Sequence, residues 1–225
     1  MVQQARAVTH EGWEEYYLAQ DGAKAWNGVP EDFLLERLDE ILVPGAFKVI
    51  DVACGDGRNT YPFLGRGLSI TATDLSPAAL DSFRSRCRIE DIAPPVLLAG
   101  DFFALGLLPQ QFHCAICFNA VSHFPSPAAA LERIVSLLMP GGRAAFNAFT
   151  THDVAYGEGE EIGRNQFSYK DTLFTFLDEH EVKALLPEGV KVLHSETRRW
   201  REPPHGAFRT APHTHEASFF IVERT

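Results

Sequence analysis

Short apolar runs and segments with helical periodicity alternate along the first two thirds of the chain. Five apolar runs predict strands, at 47–53, 68–74, 96–101, 113–119 and 143–149. Several are apolar almost throughout, which is typical of parallel strands covered by helices on both faces. Three intervening segments repeat apolar residues at helical spacing, at 30–42, 77–87 and 127–139. This alternation predicts an α/β fold with a doubly wound, mostly parallel, Rossmann-like sheet.

The ends of the predicted helices carry capping residues. Ser76 and Ser126 each precede a proline and are placed to cap the helices that follow. Asp178 and Glu181 have the spacing of a capping box on a short helix that runs to about residue 186. The segment 140–142, Pro-Gly-Gly, is expected to stop the helix over 127–139.

The pattern changes after residue 150. Residues 150–172 are polar, contain several glycines and show little periodicity, so we expect a long loop or insertion there. Two further strands are predicted at 190–196 and 218–224. No helical pattern separates them, which predicts an antiparallel pair and a seven-stranded sheet. At the other end, residues 1–29 form an appended segment with aromatic residues at Trp13, Tyr16, Tyr17 and Trp26.

The composition excludes several classes of protein. The chain has 225 residues with 30 acidic and 20 basic side chains, a formal net charge of −10, which disfavours a nucleic-acid partner. It has no apolar run long enough to span a membrane and no apolar leader at its N-terminus. The four cysteines are too few for a disulfide scaffold and indicate free thiols. We therefore expect a cytoplasmic protein with no membrane partner.

The most informative segment is 49–60, where an apolar strand runs into Gly55-Asp56-Gly57 and then a helix. Glycines allow a sharp turn and a close approach of the backbone to a ligand. Asp74 ends the next strand, nineteen residues after Gly55, where doubly wound sheets place an acid that accepts hydrogen bonds from ribose hydroxyls. Thr60 occupies the third glycine position of the dinucleotide fingerprint, which argues against an NAD-linked oxidoreductase.

Five segments together resemble the class I S-adenosylmethionine-dependent methyltransferases. They are 51–57 (DVACGDG), 73–76 (TDLS), 100–102 (GDF), 117–124 (CFNAVSHF) and 137–142 (LLMPGG). The resemblance covers roughly residues 45–149, and a reversed last strand is also similar to the family. Gly57-Arg58-Asn59 and the aromatic N-terminal segment are similar to the tellurite-resistance-type small-molecule methyltransferases. One departure is Ala53, where the family usually has glycine.

The resemblance implies S-adenosylmethionine as cofactor and a role for each matching residue. Asp51 would lie by the methionine amino end, Asp74 would bind the ribose diol, and Asn119 would lie near the sulfonium. Asp101 and Phe102 would flank the adenine. The implied cofactor-binding set is Asp51, Ala53, Cys54, Gly55, Gly57, Asn59, Asp74, Leu75, Asp101, Phe102, Asn119 and Tyr16.

These implied roles predict one methyltransferase domain over 1–225. Residues 1–29 would be an N-terminal cap, 30–149 the cofactor-binding core, and 150–225 the substrate-side loop and terminal strands. The chain would be a monomer or homodimer.

The expected activity is methyl transfer to a small-molecule nucleophile by in-line displacement. His123 and His215 are candidates for the base that accepts the nucleophile's proton. The main alternative is a non-catalytic S-adenosylmethionine-binding module with a regulatory or scaffolding role.

The C-terminal histidines supply some, but not all, of the ligands that a metal site needs. His213 and His215 would share one face of a strand, and two imidazoles with a carboxylate can hold zinc. Glu216 would point to the opposite face, and neither His205 nor another residue visibly completes the set, so no metal is predicted. A place in the substrate pocket and a structural role both stay open. Cys114 and Cys117 would also face opposite sides of their strand, which argues against a redox or zinc role.

Overall fold

The computed structural model describes residues 10–19, 28–204 and 209–225, so Trp26 and His205 lie outside the described residues. The helices are α1 (His10–Leu18), α2 (Asp32–Glu36), α3 (Leu38–Ile41), α4 (Pro77–Ile89), α5 (Pro127–Leu137) and α6 (Glu179–Leu185). The strands are β1 (Lys48–Val52), β2 (Ser69–Asp74), β3 (Val96–Ala99), β4 (Phe112–Cys117), β5 (Leu138–Phe149), β6 (Glu160–Gly163), β7 (Gln166–Tyr169), β8 (Thr172–Thr175), β9 (Val190–Glu202) and β10 (His213–Arg224). None of these helices is both long enough and apolar enough to cross a lipid bilayer.

Seven strands form the main sheet in the order β3-β2-β1-β4-β5-β10-β9. The first five are parallel, and β10 runs antiparallel to both β5 and β9. This confirms the predicted fold class and the reversed last strand. The strand order changes direction between β1 and β4, and such a switch opens a crevice at the carboxyl ends of the strands where ligands bind.

The two faces of the sheet pack into separate apolar cores. Val49, Ile116 and Phe219 belong to one core, which also covers α2 and α3. Ile50, Phe146 and Phe220 belong to the other, against α5 and α6. Cys114 lies in the first core and Cys117 in the second, as expected for residues three positions apart on a strand.

The predicted caps are present. The hydroxyl of Ser76 accepts a hydrogen bond from Ala79 N at 3.1 Å, and the hydroxyl of Ser126 accepts one from Ala129 N at 3.2 Å. Asp178 and Glu181 form the reciprocal capping box at the start of α6. These contacts satisfy backbone N–H groups that the first turn of a helix leaves without a partner, so each helix begins where its sequence predicts.

Two predictions of helix extent need correction. The segment 30–42 forms two short helices, α2 and α3, because the backbone at Arg37 leaves the helical region (φ −117°, ψ 16°). Its apolar face is nevertheless buried as predicted, with Leu34 and Ile41 fully enclosed. The Pro-Gly-Gly segment 140–142 does not end α5, because that helix stops at Leu137 and β5 begins at the next residue.

The segment 150–172 is an insertion after β5, one of the two alternatives predicted, but its second half is not a loop. Strands β6, β7 and β8 form a small antiparallel sheet there. Lys170 and Asp171 both have positive φ in the two-residue turn that joins β7 to β8. Tight hairpins use this backbone conformation but usually with Asn-Gly or Asp-Gly, so Lys-Asp at these positions does not predict a turn. Phe167 of β7 and Phe176, which follows β8, are buried in the same apolar core as Val49 and Phe219.

Candidate functional site

A cavity of about 550 Å³ opens at the carboxyl ends of β1, β2 and β4. Its size is within the usual range for small-molecule sites, about 300–1,000 Å³. Ten of the residues predicted from sequence line it: Ala53, Cys54, Gly55, Asn59, Asp74, Leu75, Asp101, Phe102, Asn119 and His123. Four predicted residues do not, namely Asp51, Gly57, Tyr16 and His215.

Asp74 is held rigidly at the end of β2. Its Oδ2 accepts a hydrogen bond from Gly55 N at 2.7 Å, and its Oδ1 accepts one from Ser76 N at 2.9 Å. A carboxylate has about four lone-pair sites, so Asp74 can also accept a hydrogen bond from a ligand hydroxyl. Burial raises the pKa of Asp74 to about 6, against the opposing effect of these backbone hydrogen bonds.

The turn after β1 adopts an unusual backbone. Ala53 has φ 56° and Gly55 has φ 57°, both in the left-handed region. Glycine adopts this region freely, whereas alanine is strained there. Ala53 therefore takes the conformation that suits the glycine usual in the family at this position.

Gly57 faces away from the cavity. A β-carbon there would collide with the ring of Phe83 on α4. The residue thus allows α4 to pack closely against the turn, which differs from the predicted close approach to the cofactor.

Asp51 lies beneath the turn. It is buried, and its Oδ2 accepts a hydrogen bond from the hydroxyl of Thr60 at 2.5 Å. Burial raises the pKa of Asp51 to about 7, and the nearby Asp74 adds to the effect while the Thr60 hydrogen bond opposes it. The side chain of Asp51 does not line the cavity, so the ammonium group of a ligand would interact with it through an intervening group and not by direct contact.

Aromatic rings form the wall beyond β3. Phe102, Phe103 and Phe124 lie with ring centroids 5.7–5.9 Å apart and all line the cavity. Asp101 lies beside them, and its Oδ1 accepts a hydrogen bond from Phe103 N at 3.0 Å. This part of the cavity offers apolar faces and one exposed carboxylate, which suits a flat heterocycle that carries an exocyclic amine.

Helix α1 covers the cavity from the N-terminal side. Trp13 and Tyr17 line the cavity. Tyr16 packs against both residues but does not line the cavity itself. Gly12 lets α1 approach the β7–β8 turn, because a β-carbon there would lie 2.6 Å from the carbonyl oxygen of Asp171. The small sheet therefore supports the helix that covers the cavity.

A buried polar network closes the side near β4. Asn119 and Asn147 exchange two hydrogen bonds: Asn119 N donates to Asn147 Oδ1 at 2.6 Å, and Asn147 Nδ2 donates to Asn119 Oδ1 at 2.7 Å. Asn119 Nδ2 donates to Glu31 Oε1 at 2.6 Å, and Arg58 Nη2 donates to the same oxygen at 3.0 Å. Asn59 Oδ1 accepts a hydrogen bond from Glu31 N at 2.9 Å. The network fixes Asn119 at φ 56°.

The sequence predicted no role for Glu31, Arg58 or Asn147, although Arg58 belongs to the Gly57-Arg58-Asn59 motif. Asn147 was detectable, because an asparagine inside the apolar run 143–149 needs a polar partner once it is buried. Glu31 and Arg58 gave no such signal, since 27 residues separate them and both types are common on surfaces. Trp13 and Tyr17 were recognised as aromatic positions but were not assigned to the cofactor-binding set.

His123 lines both the large cavity and a smaller neighbouring one. Its Nδ1 contacts the carbonyl oxygen of Leu173 at 2.7 Å, so Nδ1 carries the proton and Nε2 presents a lone pair. Burial lowers the pKa of His123 to about 4, which keeps the ring neutral at neutral pH. Trp13 packs edge-on against it with the ring centroids 4.9 Å apart.

His215 lies in a second, smaller cavity of about 50 Å³. Trp13, Asn119 and His123 line both cavities, so the two adjoin. Glu216 points to the opposite face of β10, as predicted, where it contacts Thr150 and Arg199. Glu202 of β9, which the sequence analysis did not consider, lies near His213 and His215.

The chemistry of the large cavity fits S-adenosylmethionine. The cofactor carries two cationic groups, a ribose diol and an adenine. The cavity offers the constrained carboxylate of Asp74, a second carboxylate at Asp101 and an aromatic wall. S-adenosylmethionine has no ribose phosphate, so its binding does not require an arginine to neutralise one.

Comparison with known proteins gives related sequences. The family model described as a methyltransferase domain matches residues 49–142. The ubiquinone biosynthesis O-methyltransferase of Xylella fastidiosa is 30% identical over 132 residues, which cover 59% of this chain and 52% of that protein. An uncharacterized methyltransferase of Mycobacterium bovis is 29% identical over 157 residues, 66% of this chain and 62% of that protein. The chain thus spans only about half to three fifths of the length of these curated relatives.

Solved structures share the fold. A structure concerned with conversion of a disulfide bond into a thioacetal group during echinomycin biosynthesis superposes with a TM-score of 0.73 at 16% identity, covering 96% of this chain and 92% of that one. TehB from Haemophilus influenzae superposes with a TM-score of 0.61 at 12% identity, covering 84% and 62%. The seven-stranded sheet with a cavity at its switch point is the fold of these solved structures, and residues 49–142 within it match the methyltransferase domain.

Proposed function

We propose that this protein transfers the methyl group of S-adenosylmethionine to a small-molecule nucleophile. The observation that carries the proposal is the carboxylate of Asp74, fixed by Gly55 N and Ser76 N at the edge of the large cavity. A carboxylate held in this way is ready to accept hydrogen bonds from a ribose diol without losing side-chain entropy.

The bound cofactor supplies the methyl group on an electrophilic sulfonium, so the protein's work is binding, orientation and exclusion of water. Asp74 holds the ribose, and Asp101 with Phe102 holds the adenine. The 53–55 turn lets the backbone approach the methionine moiety, and Asp51 acts on its ammonium group from behind the turn. Helix α1 covers the cofactor through Trp13 and Tyr17.

The acceptor binds on the side of His123 and the smaller cavity. Aromatic and histidine side chains enclose this space, which favours a small acceptor. The neutral His123 presents Nε2 as a hydrogen-bond acceptor for a hydroxyl, thiol or amine. Its lowered pKa makes it a weak base, so we assign it mainly to orienting the nucleophile, with His215 as the second candidate to receive a proton.

Calorimetric titration tests the cofactor assignment. Wild-type protein should bind S-adenosylmethionine and S-adenosylhomocysteine and should not bind NAD. Asp74→Asn should weaken binding of both about 10-fold or more, because hydrogen bonds to a charged acceptor contribute about 1.5–3 kcal/mol. Asp81→Asn is the matched control, since Asp81 is an exposed acid on α4. Equal affinities for wild type and Asp74→Asn in folded samples would reject the ribose assignment.

Product formation separates an enzyme from a non-catalytic binding module. Acceptors should include phenols, because the Xylella relative is an O-methyltransferase of ubiquinone biosynthesis, together with thiols, amines and metalloid oxyanions. We expect S-adenosylhomocysteine to accumulate with at least one class. His123→Asn should raise KM for that acceptor and leave cofactor affinity within about twofold. Tight cofactor binding without turnover across all classes would favour the regulatory or scaffolding alternative.

A further inference from the structure

Three potential metal ligands converge where β9 and β10 pair. The antiparallel register places His213 directly opposite Glu202, and His215 two residues further along β10 on the same face. The two Nε2 atoms lie 2.9 Å apart. Glu202 Oε2 lies 3.9 Å from His213 Nε2 and 3.8 Å from His215 Nε2.

The other ring nitrogen of each histidine fixes its tautomer. His215 Nδ1 lies 2.7 Å from Asp153 Oδ2, and His213 Nδ1 lies 3.0 Å from the carbonyl oxygen of Ala211. Both oxygens act as acceptors, so each Nδ1 donates a hydrogen bond and Nε2 is the nitrogen by which each ring faces the other. A hydrogen bond joins the two Nε2 atoms in the metal-free protein, and a cation beside the Glu202 carboxylate would take the place of its proton.

The supporting contacts have the form usual around metal-binding histidines. Asp153 is a buried carboxylate that holds His215 through Nδ1 and is itself held by Glu216 N at 2.9 Å. Metal-ligating histidines commonly donate the N–H of their second ring nitrogen to a carboxylate or a backbone carbonyl. This hydrogen bond orients the imidazole toward the metal. Trp200 Nε1 donates to Glu202 Oε1 at 3.0 Å, which turns Oε2 toward the histidines.

We propose that Glu202, His213 and His215 bind one divalent transition-metal ion. Two imidazoles and one carboxylate select zinc or a neighbouring ion over magnesium or calcium, which prefer all-oxygen sites. From the three separations, the point equidistant from the ligand atoms lies about 2.1 Å from each, which matches zinc–nitrogen and zinc–oxygen bond lengths of about 2.0–2.2 Å. Three protein ligands leave a coordination position open, as in catalytic zinc sites.

The open coordination position of the metal lies beside the proposed methyl-transfer site. Glu202 and His215 line the smaller cavity together with Trp13, Asn119 and His123, which also line the large one. On the proposed function, the ion would take the hydroxyl or thiol of the acceptor as its further ligand. Such a group would lose its proton to solvent on binding the metal and would reach the cofactor as an anionic nucleophile, so that His215 would act as a metal ligand in place of a proton acceptor.

Metal binding is tested on the protein alone, without cofactor or acceptor. Tag-free protein stripped with a chelator is titrated with Zn²⁺ against a chromogenic chelator and with Co²⁺ by visible absorption. We expect one equivalent of Zn²⁺ to bind, and Co²⁺ to give the intense bands of a four-coordinate site. Glu202→Gln keeps the acceptor for Trp200 and removes the charge, and His213→Asn removes one nitrogen ligand. Each should weaken Zn²⁺ binding about 10-fold or more.

Two exposed residues of the same types provide matched controls. His180→Asn and Glu188→Gln should bind Zn²⁺ as the wild type does. The proposal is overturned if wild-type protein takes up no stoichiometric Zn²⁺, or if Glu202→Gln and His213→Asn bind it as tightly as the controls. Circular dichroism checks that each variant is folded. Because no methyl transfer is measured, failure here would leave the proposed function standing, and failure of the proposed function would leave the metal site standing.

Discussion

The hydroxyl of Tyr17 occupies the space that a side chain on Gly55 would need. This contact joins the covering helix α1 to the turn after β1, 38 positions further along the chain. A residue with a β-carbon at 55 must therefore displace Tyr17 as well as adopt a left-handed backbone. Helix α1 and the turn after β1 therefore pack in direct contact at position 55.

Gly55→Ala should destabilise the protein and weaken cofactor binding. The left-handed backbone costs alanine about 1–2 kcal/mol, and the collision with Tyr17 adds about 1–3 kcal/mol. Urea unfolding and calorimetry measure the two effects. Gly65→Ala is the matched control, because Gly65 also has positive φ but has open space around it.

The control and a second variant separate the cost of the left-handed backbone from the cost of the collision with Tyr17. Gly65→Ala should lose only the backbone contribution. Adding Tyr17→Phe to Gly55→Ala removes the hydroxyl and should restore part of the stability. If Gly55→Ala and Gly65→Ala lose the same stability, the contact with Tyr17 does not restrict position 55.

Ala53→Gly should stabilise the protein. Relief of the left-handed strain at φ 56° gains about 1–2 kcal/mol, and the greater freedom of glycine in the unfolded chain offsets about 0.4–1 kcal/mol of it. The expected net gain is about 0.5–1 kcal/mol in the free energy of unfolding. A loss of stability in chemical denaturation would show that the alanine methyl contributes more by packing than it costs in strain.

The buried pair of Glu31 and Arg58 should contribute far more than a surface pair. Both side chains are at least 90% buried and lie 3.0 Å apart. Glu31→Gln removes the negative charge from this buried ion pair while the guanidinium of Arg58 stays buried, which costs about 3–5 kcal/mol. Glu40→Gln breaks the exposed pair with Arg37 and should cost about 0–1 kcal/mol. Similar losses for the two variants in urea unfolding would contradict this difference.

Stability should increase as the pH falls from about 8 toward 5 because of Asp51. Burial raises its pKa to about 7, from an ordinary value of 3.8. The folded chain therefore binds a proton that the unfolded chain releases, so this contribution is complete below about pH 4 and is lost as the pH rises through about 7. Asp51→Asn should flatten the pH dependence of the free energy of unfolding relative to wild type, and parallel curves would contradict the assignment.

Cofactor binding near pH 7 should release protons. The ammonium of S-adenosylmethionine favours ionised Asp51, and the ribose hydroxyls favour ionised Asp74, so binding lowers both pKa values. Calorimetry in buffers of different ionisation enthalpy measures the number released. Asp51→Asn should reduce it, and an unchanged number would place the ammonium away from Asp51.

Local patterns in the sequence determined the main sheet and the helix starts. Several of the runs that became β1 to β4 are apolar almost throughout, so they indicate buried parallel strands without any knowledge of their neighbours. Ser76 and Asp178 cap helices through contacts within three residues, which a short window contains. The turn glycines and Asp74 were also predictable, because a strand end and the following turn are adjacent in sequence.

The tertiary structure decided which distant residues meet. Glu202 faces His213 only because β9 and β10 pair in one register, and a shift by one residue would turn the carboxylate to the other face. Glu31 reaches Arg58 because α2 begins beside the turn after β1. The sequence also failed at the β7–β8 turn, where packing beneath α1 supports a backbone that Lys170 and Asp171 do not favour by themselves. Local propensity describes contacts within a few residues, whereas these contacts depend on the packing of whole elements.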